Sequence, residues 1–188
     1  GVLRVTLRAK GRAAHSSQPQ RGVSAIDRLV DALVELRGLP LPEDLEMGRT
    51  FYVTGLISGG VAPNVVSPSA EAELNFRTVG PGTDVLERLA PLRAWVDVET
   101  VLEVPPVRMR TVPGFDAEAF AFTTDIPFLD RWGEPLLFGP GSILDAHTED
   151  DHVDLAELEA AVLAYERIAR ALLAEGGSSG TVPAGLNR

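Results

Sequence analysis

Three histidines are the first residues in this chain to examine for chemistry. His15 lies in the polar loop GRAAHSSQPQ, His147 in GPGSILDAHTEDD, and His152 directly before the last helical pattern. A lone loop histidine is most often solvated surface. His147 carries more signal, because it follows a glycine turn and has Asp145, Glu149, Asp150 and Asp151 beside it in sequence. An imidazole among carboxylates is the material of a metal site or an acid–base pair. The same carboxylates also suit a helix entrance, where the dipole favours negative charge, and the residues alone leave both readings open. Asn64 and Arg77 form the next pair. An arginine on a sheet face, joined by a loop amide, can clamp a carboxylate in bidentate fashion; the plainer alternative is a solvated Arg77 paired with Glu73. Ser16, Ser17 and Ser142 do not sit in G-x-S-x-G, so a serine hydrolase is disfavoured. Gly139-Pro140-Gly141 is too short and rigid for a phosphate cradle. In His152-Val153-Asp154 the aspartate reads as a helix cap rather than a ligand.

These residues need elements to hold them. Leu3, Val5, Leu7 and Ala9 alternate with Arg4, Thr6, Arg8 and Lys10, which predicts a half-buried strand. Ile26, Leu29, Val30, Leu33 and Leu36 recur at helical spacing, with Ser24 as N-cap and Gly38 as stop. Strands are predicted at 50–58 and about 70–79, separated by the loop GGVAPNVVSP. A helix opens at Pro81-Gly82-Thr83, with Val85, Leu86 and Leu89 inward, and Pro91 ends or bends it. A fourth strand spans about 96–104. The order strand, helix, strand, strand, helix, strand is the ferredoxin-like split pattern, with two helices on one face of an antiparallel sheet.

The rest differs. Residues 105–134 show no clean period. Glu134–Gly139 predicts a short buried strand. A closing helix has the stripe Leu155, Leu158, Val162, Tyr165, Ala169 and Leu172, with Asp154 and Glu157 as a capping box and an end at Gly176-Gly177. Residues 177–188 are expected to form a flexible tail. One strand and one helix cannot bury each other, so this half is expected to belong to a sheet whose other strands lie elsewhere. The opening Gly1-Val2, without a methionine, also suggests a piece of something longer.

The chain has 188 residues, a formal net charge of −10 and no cysteine. Apolar residues at 45% supply a core, so whole-chain disorder is excluded. Disulfide frameworks and thiol nucleophiles are excluded with the cysteines. The acidic balance argues against nucleic acid, which needs clustered lysine and arginine. No apolar run spans a membrane and no signal peptide is evident, so the expected location is cytoplasmic.

Three ordered strings resemble one family. GRAAHSSQPQRGVSAI, SGGVAPNVVSPSAEAELNFR and FTTDIPFL with LLFGPGSILDAHTEDDHV are similar to motifs of the zinc-dependent aminoacylase, acetylornithine deacetylase and succinyl-diaminopimelate desuccinylase family. The last string looks most like the acetylornithine deacetylase branch. The resemblance implies an α+β chain: a ferredoxin-like lid and dimerisation domain at 1–104, then the C-terminal piece of an α/β zinc-hydrolase catalytic domain at 105–176. It implies metal-dependent hydrolysis of the amide bond of an N-acylated amino acid such as N-acetylornithine. His15 would reach across a homodimer and polarise the scissile carbonyl. Asn64, Arg77, Gly139, Gly141 and Ser142 would bind substrate, and His147 would be one ligand of a centre of two zinc or cobalt ions.

The chain also departs from that family. The His-x-Asp ligand string, the bridging Asp and the Glu-Glu pair are not found, and Asp151 stands where the family usually has Glu. Taken alone, the chain is therefore expected to hold no metal stably and to be inactive, with the activity belonging to a parent enzyme. The rival reading is a stand-alone ferredoxin-like module for small-molecule binding or dimerisation. RNA binding on the open sheet face is disfavoured by the acidic Glu71 and Glu73.

Overall fold

A computed structural model describes residues 1–176. The tail expected at 177–188 lies outside the described residues. The chain divides into two compact units, one of Gly1–Arg108 with Glu118–Arg131, the other of Met109–Ala117 with the chain from Trp132 on.

In the first unit, alternation builds the sheet. β1 (Val2–Lys10) sends Leu3, Val5, Leu7 and Ala9 to a buried face. α1 (Ala25–Gly38) follows, capped by the Ser24 hydroxyl, which accepts the Asp27 N–H at 3.1 Å. A two-residue hairpin, β2 (Glu43–Asp44) and β3 (Gly48–Arg49), precedes β4 (Phe51–Gly59) and β5 (Ser69–Arg77). α2 (Gly82–Arg88), a 3-10 turn at Ala90–Ala94 and β6 (Asp97–Val104) complete the set. The four long strands form one antiparallel sheet in the order β4-β5-β1-β6. Leu3, Leu7, Leu74, Phe76, Leu36, Leu89 and Leu92 fill the core between the sheet and its helices. This is the mixed α+β, ferredoxin-like arrangement expected from the periodicities.

The differences have local causes. Of the stripe expected on α1, Leu29 and Leu36 are buried, but Ile26 and Val30 are 40% and 50% exposed; Ala25 and Ala32 pack inward instead. Small alanines let the helix lie close to β1 and β5, which turns the branched residues outward. α2 is capped from a distance. Glu103 Oε1 accepts the Gly82 N–H at 2.9 Å, an acceptor 21 residues away that no local motif could reveal.

The β2–β3 hairpin was not legible in the sequence, and it is held by charge. Asp44 Oδ1 accepts the N–H groups of Glu46 and Met47, both at 2.8 Å, and Arg108 reaches Asp44 Oδ2 at 2.8 Å and also Glu46. The Met47 and Glu46 N–H groups, followed by the Arg108 charge, hold the Asp44 carboxyl below the usual carboxylate range. A depressed carboxyl stabilises the fold above its unfolded value, and that contribution is lost as pH falls through the folded one. In an acid titration followed by NMR, the Glu46 and Met47 amide signals should therefore hold until below the pH at which ordinary exposed carboxyls protonate. Asp44→Asn should remove the transition.

In the second unit, α3 (Leu155–Gly176) is the principal element. Ala161 and Ile168 are buried, whereas Leu155, Val162 and Tyr165 of the expected inward stripe are exposed. Glu157 does not close a capping box with Asp154; its carboxylate accepts the Gly141 N–H at 3.0 Å, so it ties the helix to the glycine turn. The expected strand at Glu134–Gly139 does not form. Among the described residues its one backbone bond is from Arg110 N–H to Pro135 O, 2.8 Å, and an extended segment without a ladder is not a strand. Phe138 packs edge-on against Tyr165 at 4.9 Å, and the Tyr165 hydroxyl donates to Phe138 O at 3.0 Å.

Candidate functional site

β1 and β5 end beside one another at Lys10 and Ser69, and the loops leaving them run together. The Gly11 N–H donates to Pro68 O, Arg12 and Val23 exchange two backbone bonds, and the Ala25 N–H donates to Ser67 O, all at 2.8–2.9 Å. A short zip continues outward: the Val66 N–H bonds Ala14 O, and the Ser16 N–H bonds Asn64 O, each at 2.9 Å. His15 and Asn64 are thereby brought to one exposed loop cluster.

Gly11 makes this approach possible. A Cβ there would stand 2.1 Å from Val23 O and 2.6 Å from Ser67 O, both backbone atoms that cannot move alone. Gly11→Ala should force the two loops apart at a cost of about 1–3 kcal/mol, as over-packing does elsewhere. Urea unfolding would measure that cost, and NMR shifts confined to residues 12–24 and 60–68 would locate it.

The His15 ring is held by Ser17. Its Nδ1 accepts the Ser17 backbone N–H at 3.2 Å and lies 2.8 Å from Ser17 Oγ. With Nδ1 accepting that N–H, Nε2 is the ring nitrogen free to carry a proton and act as a donor. Such a donor can polarise a carbonyl or stabilise a developing oxyanion. The Ser17 contact was missed in the sequence, although a polar residue two positions after a histidine is its only local signal.

Arg77 is elsewhere. It closes β5 at the opposite end, facing Val2 and Phe51 across the sheet. The nine residues of β5 put roughly 27 Å between its ends at about 3.4 Å per residue. Within the chain, Asn64 and Arg77 therefore lie at opposite ends of the sheet and are not brought together. The alternative Arg77–Glu73 pair does not form either.

The second unit holds Gly139, Gly141, Ser142 and His147. Gly141 turns with φ of +93°. Ser142 Oγ accepts the Leu144 N–H at 3.1 Å, and the Thr148 hydroxyl donates to Asp145 O at 2.7 Å. His147 itself has φ of +63°, a left-handed conformation that costs a β-carbon-bearing residue energy. The Asp151 carboxylate accepts its backbone N–H at 3.0 Å and holds the turn. The other carboxylates near His147 in sequence do not gather on its ring. Among the described residues no three His, Asp or Glu side chains converge as a metal site. These residues do not fit a two-metal centre; His147 offers one donor. Among the described residues no helix is long and apolar enough to cross a membrane.

A probable carboxypeptidase of Paracoccidioides brasiliensis is 36% identical over 205 residues, covering 94% of this chain and 46% of its own length. A peptidase M20 domain-containing protein of Schizosaccharomyces pombe is 34% identical over 173 residues, covering 89% and 43%. The chain thus spans less than half the length of these curated relatives. Among solved structures, aminopeptidase PepT from Bacillus cereus has a TM-score of 0.43 at 22% identity, over 54% of this chain and 29% of that one. Residues 1–102 match the family model of the peptidase dimerisation domain, and the chain belongs to that family of M20 peptidases.

Proposed function

We propose that this chain is the dimerising lid and the closing catalytic segment of a metal-dependent amide or peptide hydrolase, and that it works as a homodimer. The carrying observation is the separation of the two polar ends of the sheet. His15 and Asn64 share one end, and Arg77 lies at the other. In a dimer, the far end of one lid serves the partner's site, while Arg77 serves its own chain's. There His15 would stabilise the oxyanion and Asn64 and Arg77 would bind substrate. Gly139, Gly141 and Ser142 would line the pocket, and His147 would be a metal donor.

The pairing surface is β4 with the neighbouring face of α1. β4 is hydrogen-bonded only to β5 among the described residues, so its outer backbone edge is open. Ile57 on the helix-bearing face of β4 and Ile26, Val30 and Val34 on α1 are exposed. Ile26 lies against Gly59 and Gly60 at the strand's end, which sets the apolar face of α1 beside the open edge of β4. A second copy of the same surface suits a closed two-fold contact. The exposed face of α3 calls for a different occupant, the remainder of the catalytic domain in a longer polypeptide. Any zinc or cobalt pair would take its other donors from that remainder, so the chain alone is proposed to be inactive.

The test is hydrolysis by the longer polypeptide, assayed on N-acetylornithine, on other N-acetyl amino acids and on dipeptides. N-acetylornithine is the substrate favoured by the closing-motif resemblance, and dipeptides are favoured by the relatives' carboxypeptidase names. Activity on any of these that falls about 10²- to 10³-fold in His15→Ala, with the fold unchanged by circular dichroism, supports the reading. Activity retained in that variant contradicts it.

A further inference from the structure

The open sheet face is ordered in rows across β4, β5, β1 and β6. The first row is Phe51, Arg77, Val2, Val104, and the second is Val53, Asn75, Arg4, Leu102. Glu73, Thr6 and Glu99 follow, then Glu71, Arg8 and Asp97. The cations on this face are of two kinds. Arg8 is neutralised by Glu71 at 3.4 Å and by Glu99, and Lys10 by Asp97 at 2.7 Å. Arg4 and Arg77 have no acidic partner among the described residues.

The two unpaired guanidiniums are neighbours. Arg4 faces Asn75, two residues before Arg77 on β5, so the pair is diagonal. Diagonal Cα atoms on adjacent strands lie about 7–8 Å apart, and long side chains from both can converge on one ligand. Between them is an unmet group: Asn75 Oδ1 is shut off from solvent and accepts no hydrogen bond. A buried acceptor without a donor is a rare state in folded proteins. Val53 and Leu102 flank the position with exposed apolar side chains.

We infer that Arg4 is a second specificity-determining residue beside Arg77, the two guanidiniums forming a subsite for a free carboxylate beside Asn75. This rests on the reading of Arg77 as substrate-binding. A carboxylate one carbon from an amide N–H is the end group of a peptide or an N-acyl amino acid. Two uncompensated positive charges favour that group and oppose a ligand carrying a cation there.

The experiment titrates the ¹⁵N-labelled chain with N-acetylglycine, and with neutral N-acetylglycinamide as control, following the arginine Nε–Hε and asparagine side-chain signals. N-acetylglycine should move the signals of Arg4, Arg77 and Asn75 and leave Arg8 in place, while the control moves none. Arg4→Gln should weaken binding about tenfold, the loss of one charge-assisted contact, and Arg8→Gln should leave it unchanged. A response of Arg77 alone, with Arg4→Gln binding normally, overturns the inference and keeps the substrate role of Arg77. A response of neither arginine overturns both. Arg4 is exposed on a strand, so its replacement leaves the fold intact for the comparison.

Discussion

Mixing two inactive variants of the longer polypeptide should restore activity. His15→Ala removes the donor at one end of the sheet, and Arg77→Ala removes the cation at the other. If the ends serve different active sites, each homodimer is deficient at both sites. A heterodimer has one site with His15 from one chain and Arg77 from its partner, both intact, and a second site with neither. Random assortment makes about half of the dimers mixed, each with one good site of two, so activity should recover to about a quarter of wild type. No recovery after the subunits have exchanged would mean that both residues act within one chain. The roughly 27 Å length of β5 argues against that arrangement. The experiment also separates loss of function from loss of fold, because unfolded variants cannot rescue each other.

Phe76→Ala should have the largest effect on stability. The ring is fully buried on β5, between the flanking core residues, and stacks at 5.3 Å on Tyr52 of β4. Phe76 also neighbours Leu3 across the β1 pairing, so its removal opens a cavity in the core between the sheet and its helices. Phenylalanine-to-alanine changes in such cores cost about 3–5 kcal/mol, as lost burial plus an unfilled cavity. Urea denaturation should show a lower midpoint with an unchanged slope. The comparison variant is Val34→Ala on the exposed face of α1, which should stay within about 0.5 kcal/mol of wild type in the monomeric unfolding reference. A small effect of Phe76→Ala would mean that the sheet–helix core is not what holds the first unit together.

The sequence disclosed what depends on local period. β1 and β5 alternate in sequence, because one face meets helices and the other is largely open, and both strands lie close to where their patterns put them. Ser24 caps α1 through the next turn, within reach of a local motif. Contacts between distant segments were not legible. Glu103 caps α2, Arg108 closes on the Asp44 turn, and Gly11 lets two loops touch. Each depends on residues that the chain brings together only after folding. The closing segment was read less well for a related reason. The expected strand at Glu134–Gly139 and the inward stripe on α3 both need a neighbouring layer, and among the described residues none covers them. For the candidate site, residue types were readable and the arrangement was not. His15 and Asn64 are 49 residues apart in number yet share one loop cluster, whereas Asn64 and Arg77 are close in sequence and lie at opposite ends of a strand.

The account stands or falls on pairing through β4 and α1, and sedimentation equilibrium of the 188-residue chain tests it most directly, run beside Val30→Asp. Twice the protomer mass at micromolar concentration, falling to one protomer in the folded variant, is the expected result, since a carboxylate on the apolar face of α1 must be desolvated on association. A wild-type chain that sediments as a monomer, or a dimer that Val30→Asp leaves intact, would contradict the claim that this surface joins two lids.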